Sequence, residues 1–281
     1  MAHGDTHLPG LLKQALASFW RRETLTRGAA GALGALTPML ALGNPSGGQV
    51  VAGSAAIGAP SANGLVITQG SQNAVINWQQ FSIGNGQYVQ FVQPNSSAVV
   101  LNRVIGNNPS SIFGDLKANG QVFLINPNGI LFGHGASLDV SGLVASTLDI
   151  KDSAFMAGRY VFDKGTGAPD ASVVNQGSIT VGAKGYVVLA GDYVENDGQI
   201  NAQLGRVVLA AGSGATLTLQ KNQLISYVVD GKTLSRLAGV SNTGEITANG
   251  GAVLMTADVA NALTATAVNN SGFIVAHSVQ A

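Results

Sequence analysis

A five-residue corner, N-x-G-x-I, recurs along this chain at Asn175-Gln-Gly-Ser-Ile179, Asn196-Asp-Gly-Gln-Ile200, Asn242-Thr-Gly-Glu-Ile246 and Asn270-Ser-Gly-Phe-Ile274. A second motif, glycine followed by an aliphatic run, appears at Gly185-Tyr-Val-Val-Leu-Ala190, Gly205-Arg-Val-Val-Leu-Ala210 and Gly251-Ala-Val-Leu-Met255. The first two copies of each motif are offset by nearly the same interval, and the later intervals are longer. A unit of about 20 residues holding short strands between Asn/Gly turns cannot bury an apolar face alone, and buries it by stacking on its own copies. The chain is therefore expected to be a solenoid.

Elementary geometry fills in the coil. Asn and Gly tolerate the left-handed backbone that sharp corners use, and asparagines stacked coil on coil can form an amide ladder. The isoleucine two residues after each motif glycine is expected to point inward. Strands such as Val187–Leu189 and Val207–Leu209 would stack at about 4.8 Å to give a column of Val, Ile and Leu. Crossovers between parallel strands are right-handed in nearly all proteins. The same grammar runs earlier, through Gly64-Leu-Val-Ile67, Ala74-Val-Ile-Asn77, Tyr88-Val-Gln-Phe91 and Ala98-Val-Val-Leu101, and Gln121-Val-Phe-Leu-Ile125 is the strongest strand. Two stretches, 151–174 and 220–237, break the period and are expected to leave the solenoid. The predicted fold is all-β: a right-handed parallel β-helix (β-solenoid) with short extra-helical excursions. A β-sandwich needs strands but no fixed sequence repeat, which the recurring corner disfavours.

Composition removes several function classes. The 281 residues carry 14 basic and 14 acidic side chains and no basic stripe, so the electrostatic footprint of a nucleic-acid binder is missing. With no cysteine there are neither disulfides nor thiolate metal sites. The front reads as an export signal: Lys13, Arg21, Arg22 and Arg27 precede an uncharged run from Gly28 to Gly43 that ends in small residues, Ala41 and Gly43. That run contains Pro38 and is shorter than the roughly 20 apolar residues a membrane helix needs, so no stable span is expected. The division expected is a signal peptide at 1–43 and one folded domain at 44–281, the front end of a longer protein.

Chemistry is sparse. Of the histidines His3, His7, His134 and His277, the first two fall in the export signal and His134 has no second histidine or acidic residue at metal-ligand spacing, and the Gly-Gly-x-Gly-x-Asp repeat of calcium-binding rolls is absent. No metal and no cofactor are expected, and His134 is expected in an exposed turn. Parallel β-helices include polysaccharide lyases and hydrolases, so the acid pairs Asp149/Asp152, Asp163/Asp170 and Asp192 with Glu195 and Asp197 are the candidates for catalysis. They fall in turns and excursions, where solvated carboxylates are ordinary. A glycan-binding or polysaccharide-degrading β-helix is the second reading; the first is a protein without enzymatic activity.

The segment from Leu101 to Ile150 carries a more specific message. It contains Asn102-Arg103-Val104, Asn108-Pro109-Ser110, Ala118-Asn119-Gly120-Gln121-Val122-Phe123, Asn126-Pro127-Asn128-Gly129-Ile130 and Gly142-Leu143-Val144-Ala145-Ser146-Thr147. These strings resemble the N-terminal secretion domain of two-partner-secretion exoproteins, the filamentous-haemagglutinin-like family, and the likeness extends more loosely from Pro45 to the last coil. The resemblance implies a Gram-negative cargo, secreted or displayed at the cell surface. It also implies a partner, an outer-membrane β-barrel transporter whose periplasmic POTRA domains bind this module, and a role in nucleating a long β-helix. The residues it marks for partner recognition are Asn102, Arg103, Asn108, Pro109, Asn126, Pro127, Asn128, Gly129 and Ile130. A turn-building role stands beside that one, since Asn-Pro-Asn-Gly suits a type I turn with proline second. The family's other tetrapeptide, Asn-Pro-Asn-Leu, is absent as such; Gln93-Pro94-Asn95-Ser96 is the nearest string.

Overall fold

A computed structural model describes residues 43–221, 223–229, 239–257 and 267–277. The expected signal at 1–43 falls outside the described residues but for Gly43. The chain enters through β1 (Gln49–Ala52) and β2 (Ala55–Ile57), followed by β3 (Gly64–Gln69) and β4 (Asn73–Trp78). Next come β5 (Tyr88–Val92), β6 (Val99–Val104), β7 (Ser110–Ile112), β8 (Asp115–Ala118), β9 (Gln121–Ile125) and β10 (Ile130–Phe132). Then follow β11 (Ser137–Val140), β12 (Gly142–Ser146), β13 (Asp149–Ile150), the short helix α1 (Asp152–Met156), β14 (Tyr160–Asp163) and β15 (Ser172–Asn175). The later coils hold β16 (Ser178–Val181), β17 (Tyr186–Gly191), β18 (Tyr193–Asn196), β19 (Gln199–Asn201), β20 (Arg206–Ala211), β21 (Gly214–Gln220) and β22 (Gln223–Val229). The last described strands are β23 (Gly239–Asn242), β24 (Glu245–Thr247), β25 (Ala252–Ala257), β26 (Val268–Asn270) and β27 (Phe273–Val275).

These strands stack into three faces of a parallel β-helix, as the repeat predicts. Face one runs β1-β4-β6-β9-β12-β17-β20-β25, face two β7-β10-β15-β18-β23-β26, and face three β2-β3-β5-β8-β11-β16-β19-β24-β27. Every pairing along them is parallel except the first on faces one and three, where β1 meets β4 and β2 meets β3 antiparallel. That reversal covers the edges of the first coil. Register explains the uneven motif intervals. Tyr186 sits on Arg206, one bare coil further along, whereas Arg206 sits on Ala252 because an excursion is inserted between them.

The motif glycines have a different reason from the one expected. A Cβ on Gly198 would stand 2.1 Å from the Gly177 carbonyl oxygen, one on Gly244 2.1 Å from that of Gly198, and one on Gly272 2.2 Å from that of Gly244. None of these glycines has a left-handed φ. Stacked corners lie too close for any side chain, so the sequence reading that glycine serves a left-handed corner is corrected to close approach of backbone. The asparagine expectation holds. Asn175 Nδ2 donates to Asn196 Oδ1, Asn196 Nδ2 to Asn242 Oδ1 and Asn242 Nδ2 to Asn270 Oδ1, each at 2.7 Å. Ile179, Ile200 and Ile246 are buried as expected, but Ile274 of the last described coil is 38% exposed.

Two apolar cores result. The inner column takes Ile67, Ile76, Phe91, Val122, Leu124, Leu143, Leu189 and Leu209. The outer side of face one forms the second core, with Val75, Leu101, Phe123, Ile125, Val144, Val188 and Val208. Strands buried on both sides read as continuous apolar runs, which explains Val-Phe-Leu-Ile and Val-Val-Leu-Ala. The cover is built from the two excursions, joined as an antiparallel sheet β13-β14-β21-β22. Phe123 is its hub, with ring centroids 5.6 Å from Phe155, 5.3 Å from Tyr160 and 6.2 Å from Phe162.

The excursion boundaries also need correction. The first begins at Asp149 and ends before Ser172, because β15 already lies in the face-two ladder between β10 and β18. The second begins at Gly214, since β21 pairs with β14 outside the solenoid; its residues 230–237 fall outside the described residues. Periodicity cannot separate a strand of the coil from one that leaves it.

Candidate functional site

Two of the resemblance strings, Asn108-Pro109-Ser110 and Asn126-Pro127-Asn128-Gly129-Ile130, meet at one corner, between faces one and two. In the turn after β9 the Gly129 N–H donates to the Asn126 carbonyl at 3.0 Å, with Pro127 in the second position as the sequence predicts. The Asn126 Oδ1 accepts from the Asn128 N–H at 2.9 Å, an Asx turn inside the β-turn. Gly129 has φ 112°, which side-chain-bearing residues rarely adopt.

The two asparagines then reach into the preceding coil. Asn126 Nδ2 donates to the Asn108 carbonyl and to Ser110 Oγ, both at 3.0 Å, and Asn128 Nδ2 donates to the Gly106 carbonyl at 2.9 Å. Ser110 N–H completes the seam by donating to the Gly129 carbonyl at 3.0 Å. Asn108-Pro109-Ser110 and Asn126-Pro127-Asn128-Gly129, separate strings in the sequence, are one hydrogen-bonded unit.

Burial sorts the marked residues. Asn126 and Asn102 have no exposed surface and Ile130 has 1%, so their side chains build the fold. Asn102 Oδ1 accepts from Trp78 Nε1 at 2.9 Å, and its Nδ2 donates to the Phe123 carbonyl at 3.4 Å, joining three coils. Pro109, Pro127 and Asn128 are half-buried and Asn108 is exposed. Arg103 points away from the corner. Its Nε donates to Asp149 Oδ1 at 2.8 Å, and its guanidinium also binds Asp152, the Ile150 carbonyl and Asn77 Oδ1. Burial alone would lower the Arg103 pKa, but the Asp149 and Asp152 carboxylates outweigh it and the net shift is upward. Arg103 thus latches the first excursion onto β6.

That latch accounts for the Asp149/Asp152 pair singled out in the sequence. Asp170 and Asp192 likewise share Lys164, at 2.6 and 2.8 Å. Glu195 is different: burial, then the charge and hydrogen bond of Asp197, push its carboxyl up to about 7. His134 is exposed, as expected. At Gln93-Pro94-Asn95-Ser96 a second Asx turn stands, with Asn95 Oδ1 accepting from the Ser97 N–H at 3.0 Å. Asn119 holds the Gln93 backbone from both sides, at 2.7 and 2.8 Å. The sequence offered no means of pairing Trp78 with Asn102, or Arg103 with its distant acids Asp149 and Asp152.

The fold and this corner define a β-helical secretion domain. Residues 41–281 match the family described as TPS secretion domain, and the chain belongs to that family. It is 36% identical over 220 residues to a heme/hemopexin-binding protein of Haemophilus influenzae (strain ATCC 51907 / DSM 11121 / KW20 / Rd), a match covering 73% of this chain and 23% of that protein. A second heme/hemopexin-binding protein of Haemophilus influenzae is 35% identical over 225 residues, covering 73% of this chain and 24% of that protein. Among solved structures, the HMW1 secretion domain from Haemophilus influenzae superposes with a TM-score of 0.68 at 35% identity, covering 76% of this chain and 57% of that one. The match thus spans only 23% and 24% of the length of these curated relatives. Domains of this family are recognised by an outer-membrane transporter, and the exoproteins that carry them are secreted or surface-associated. The family favours this reading over a glycan-active β-helix. No helix among the described residues is long and apolar enough to cross a membrane.

Proposed function

We propose that this chain is the amino-terminal secretion module of a longer exoprotein, with residues 1–43 as its signal peptide and 44–281 as the β-helix. The POTRA domains of the transporter bind it, and its coils template those that follow. The observation that carries this reading is the single seam into which Asn126 and Asn128 draw the Gly106–Ser110 corner. In this role Asn102, Asn126 and Ile130 act by fixing the corner, the buried Gly129 by its turn conformation, and Asn108, Pro109, Pro127 and Asn128 form its accessible rim. Arg103 acts by holding the excursion sheet.

The module performs no turnover. Four of its candidate acids, Asp149, Asp152, Asp170 and Asp192, are held in ion pairs with Arg103 and Lys164, which supports a structural use for them. The names of the Haemophilus influenzae relatives speak of heme and hemopexin, but the shared region is the secretion module, and we assign it no such ligand. The test is a pull-down of the folded chain by the periplasmic domains of its transporter, paired with secretion in a Gram-negative host with and without that transporter. Capture and transporter-dependent secretion are expected; secretion that is equal without the transporter overturns the proposal.

A further inference from the structure

Most exposed aliphatic side chains among the described residues stand on strands. Val66, Val92, Val161, Ile225, Val228, Leu254 and Val268 all do, and there the pleat obliges alternate residues to face outward. Two stand outside the strands, Ile105 at 51% exposure just after β6 and Leu204 at 39% in a turn. No pleat dictates their exposure.

The loops around these two differ. Leu204 sits in a left-handed turn with φ 56°, and its N–H donates to the Asn249 carbonyl at 2.8 Å. Backbone bonds hold the Leu204 turn, whereas the Ile105 loop is also gripped by side chains of the next coil. Ile105 N–H donates to the Trp78 carbonyl at 2.8 Å, the Gly106 carbonyl accepts from Asn128, the Asn108 carbonyl accepts from Asn126, and Ser110 is held by Gly129. A Cβ on Gly106 would stand 2.0 Å from the Gln79 carbonyl oxygen, so the loop lies flat on the coil below. The outcome is a rigid tip presenting an isoleucine with exposed Asn107 and Asn108 beside it and half-buried Pro109 next in line. An apolar side chain held still before binding loses little conformational entropy on docking.

We infer that Ile105, on the loop gripped by Asn126 and Asn128, is the apolar anchor that docks into the periplasmic domain of the outer-membrane transporter. This rests on the reading of the chain as a transporter-recognised module, and it specifies where the contact is made. It also explains how a fully buried Asn126 can matter to recognition: it is a positioning residue for Ile105. The neighbouring Asn107 and Asn108 supply the polar rim expected around an interface anchor.

The test places a photo-crosslinking amino acid at 105, or at 204 as control, in the full chain co-expressed with its transporter. A cross-link to the transporter's periplasmic domain at 105 and none at 204 is expected. In parallel, Ile105→Lys should lower affinity for those domains about tenfold, the scale of losing the burial of half an isoleucine. Its melting temperature should stay unchanged, and Ile105→Leu should retain binding. Absence of the cross-link at 105, or wild-type affinity of Ile105→Lys, overturns the inference while leaving transporter dependence intact. Secretion of the unmodified chain without the transporter overturns the reading beneath it.

Discussion

At the corner between faces two and three, Asn175, Asn196, Asn242 and Asn270 pass one amide hydrogen bond from coil to coil, whereas at the corner before β10 Asn126 and Asn128 bind the backbone of the coil below. The glycines divide the same way. Gly198 is required because a Cβ would strike the preceding coil, while Gly129 is required by its φ of 112°. A ladder depends on identical neighbours and so propagates; a clamp depends on one particular neighbour and so marks a place.

The strongest way to break this comparison is Gly198→Ala, which forces a methyl to within 2.1 Å of a backbone oxygen. It should cost about 3 kcal/mol or more in thermal or urea unfolding. A variant as stable as the parent would mean that the coils have slack and that the glycine column is not a stacking requirement. Next in size, Asn196→Ala removes two of the three ladder hydrogen bonds, leaving the Asn242 oxygen without that donor and the Asn175 amide with only the Gln199 carbonyl at 3.5 Å. An unmet buried polar group costs about 1–3 kcal/mol, so a loss of about 2–3 kcal/mol is expected by the same measurement. A near-neutral result would show that the ladder follows from stacking and does not drive it.

The clamp should respond differently. Asn128→Ala loses the hydrogen bond to the Gly106 carbonyl and a longer one to Asn126 Oδ1, and should cost about 1–2 kcal/mol. A domain with typical stability of about 5–15 kcal/mol remains folded through that loss. Secretion should nevertheless fall several-fold, because the Ile105 loop is freed. Secretion that merely tracks melting temperature would reduce the clamp to another structural corner.

The smallest effect concerns pH. Glu195, beside the ladder, has its carboxyl raised to about 7 in the folded chain by burial and by Asp197. The unfolded chain then holds this proton less tightly, so the stability it contributes is full below its ordinary value of 4.5 and is lost as pH rises through 7. Melting temperature should fall modestly between pH 5 and about 7 and level off towards pH 8, and Glu195→Gln should flatten the falling part of the curve. An unchanged slope in the variant would assign the titration elsewhere.

Much of the fold was legible because stacking imposes chemistry at fixed intervals. Asn175, Asn196, Asn242 and Asn270 announced their ladder, and the unbroken apolar run from Val122 to Ile125 concealed only which partner each side would meet. The marked corner was legible as strings, but not as a unit. Asn126 reaches back to Ser110 and Arg103 forward to Asp149, and neither pairing leaves a local signal in the sequence. The excursions were seen as breaks in period, yet β14 and β21 gave no sign that they would pair with each other over Phe123.

What the sequence determined by itself was the class of object: a repeating unit of roughly 20 residues, with asparagine and glycine at its corners, has few ways to bury its aliphatic face other than by stacking. Tertiary structure alone decided which asparagines propagate and which clamp, that Arg103 serves the excursion sheet, and that Ile105 remains outside. The physical reason is that burial and hydrogen-bond partners at a corner are set by the coil beneath it. A bare turn of the solenoid lays Tyr186 on Arg206, and a turn carrying an excursion lays Arg206 on Ala252, so stacked neighbours in the parallel ladders are a whole coil or more apart along the chain.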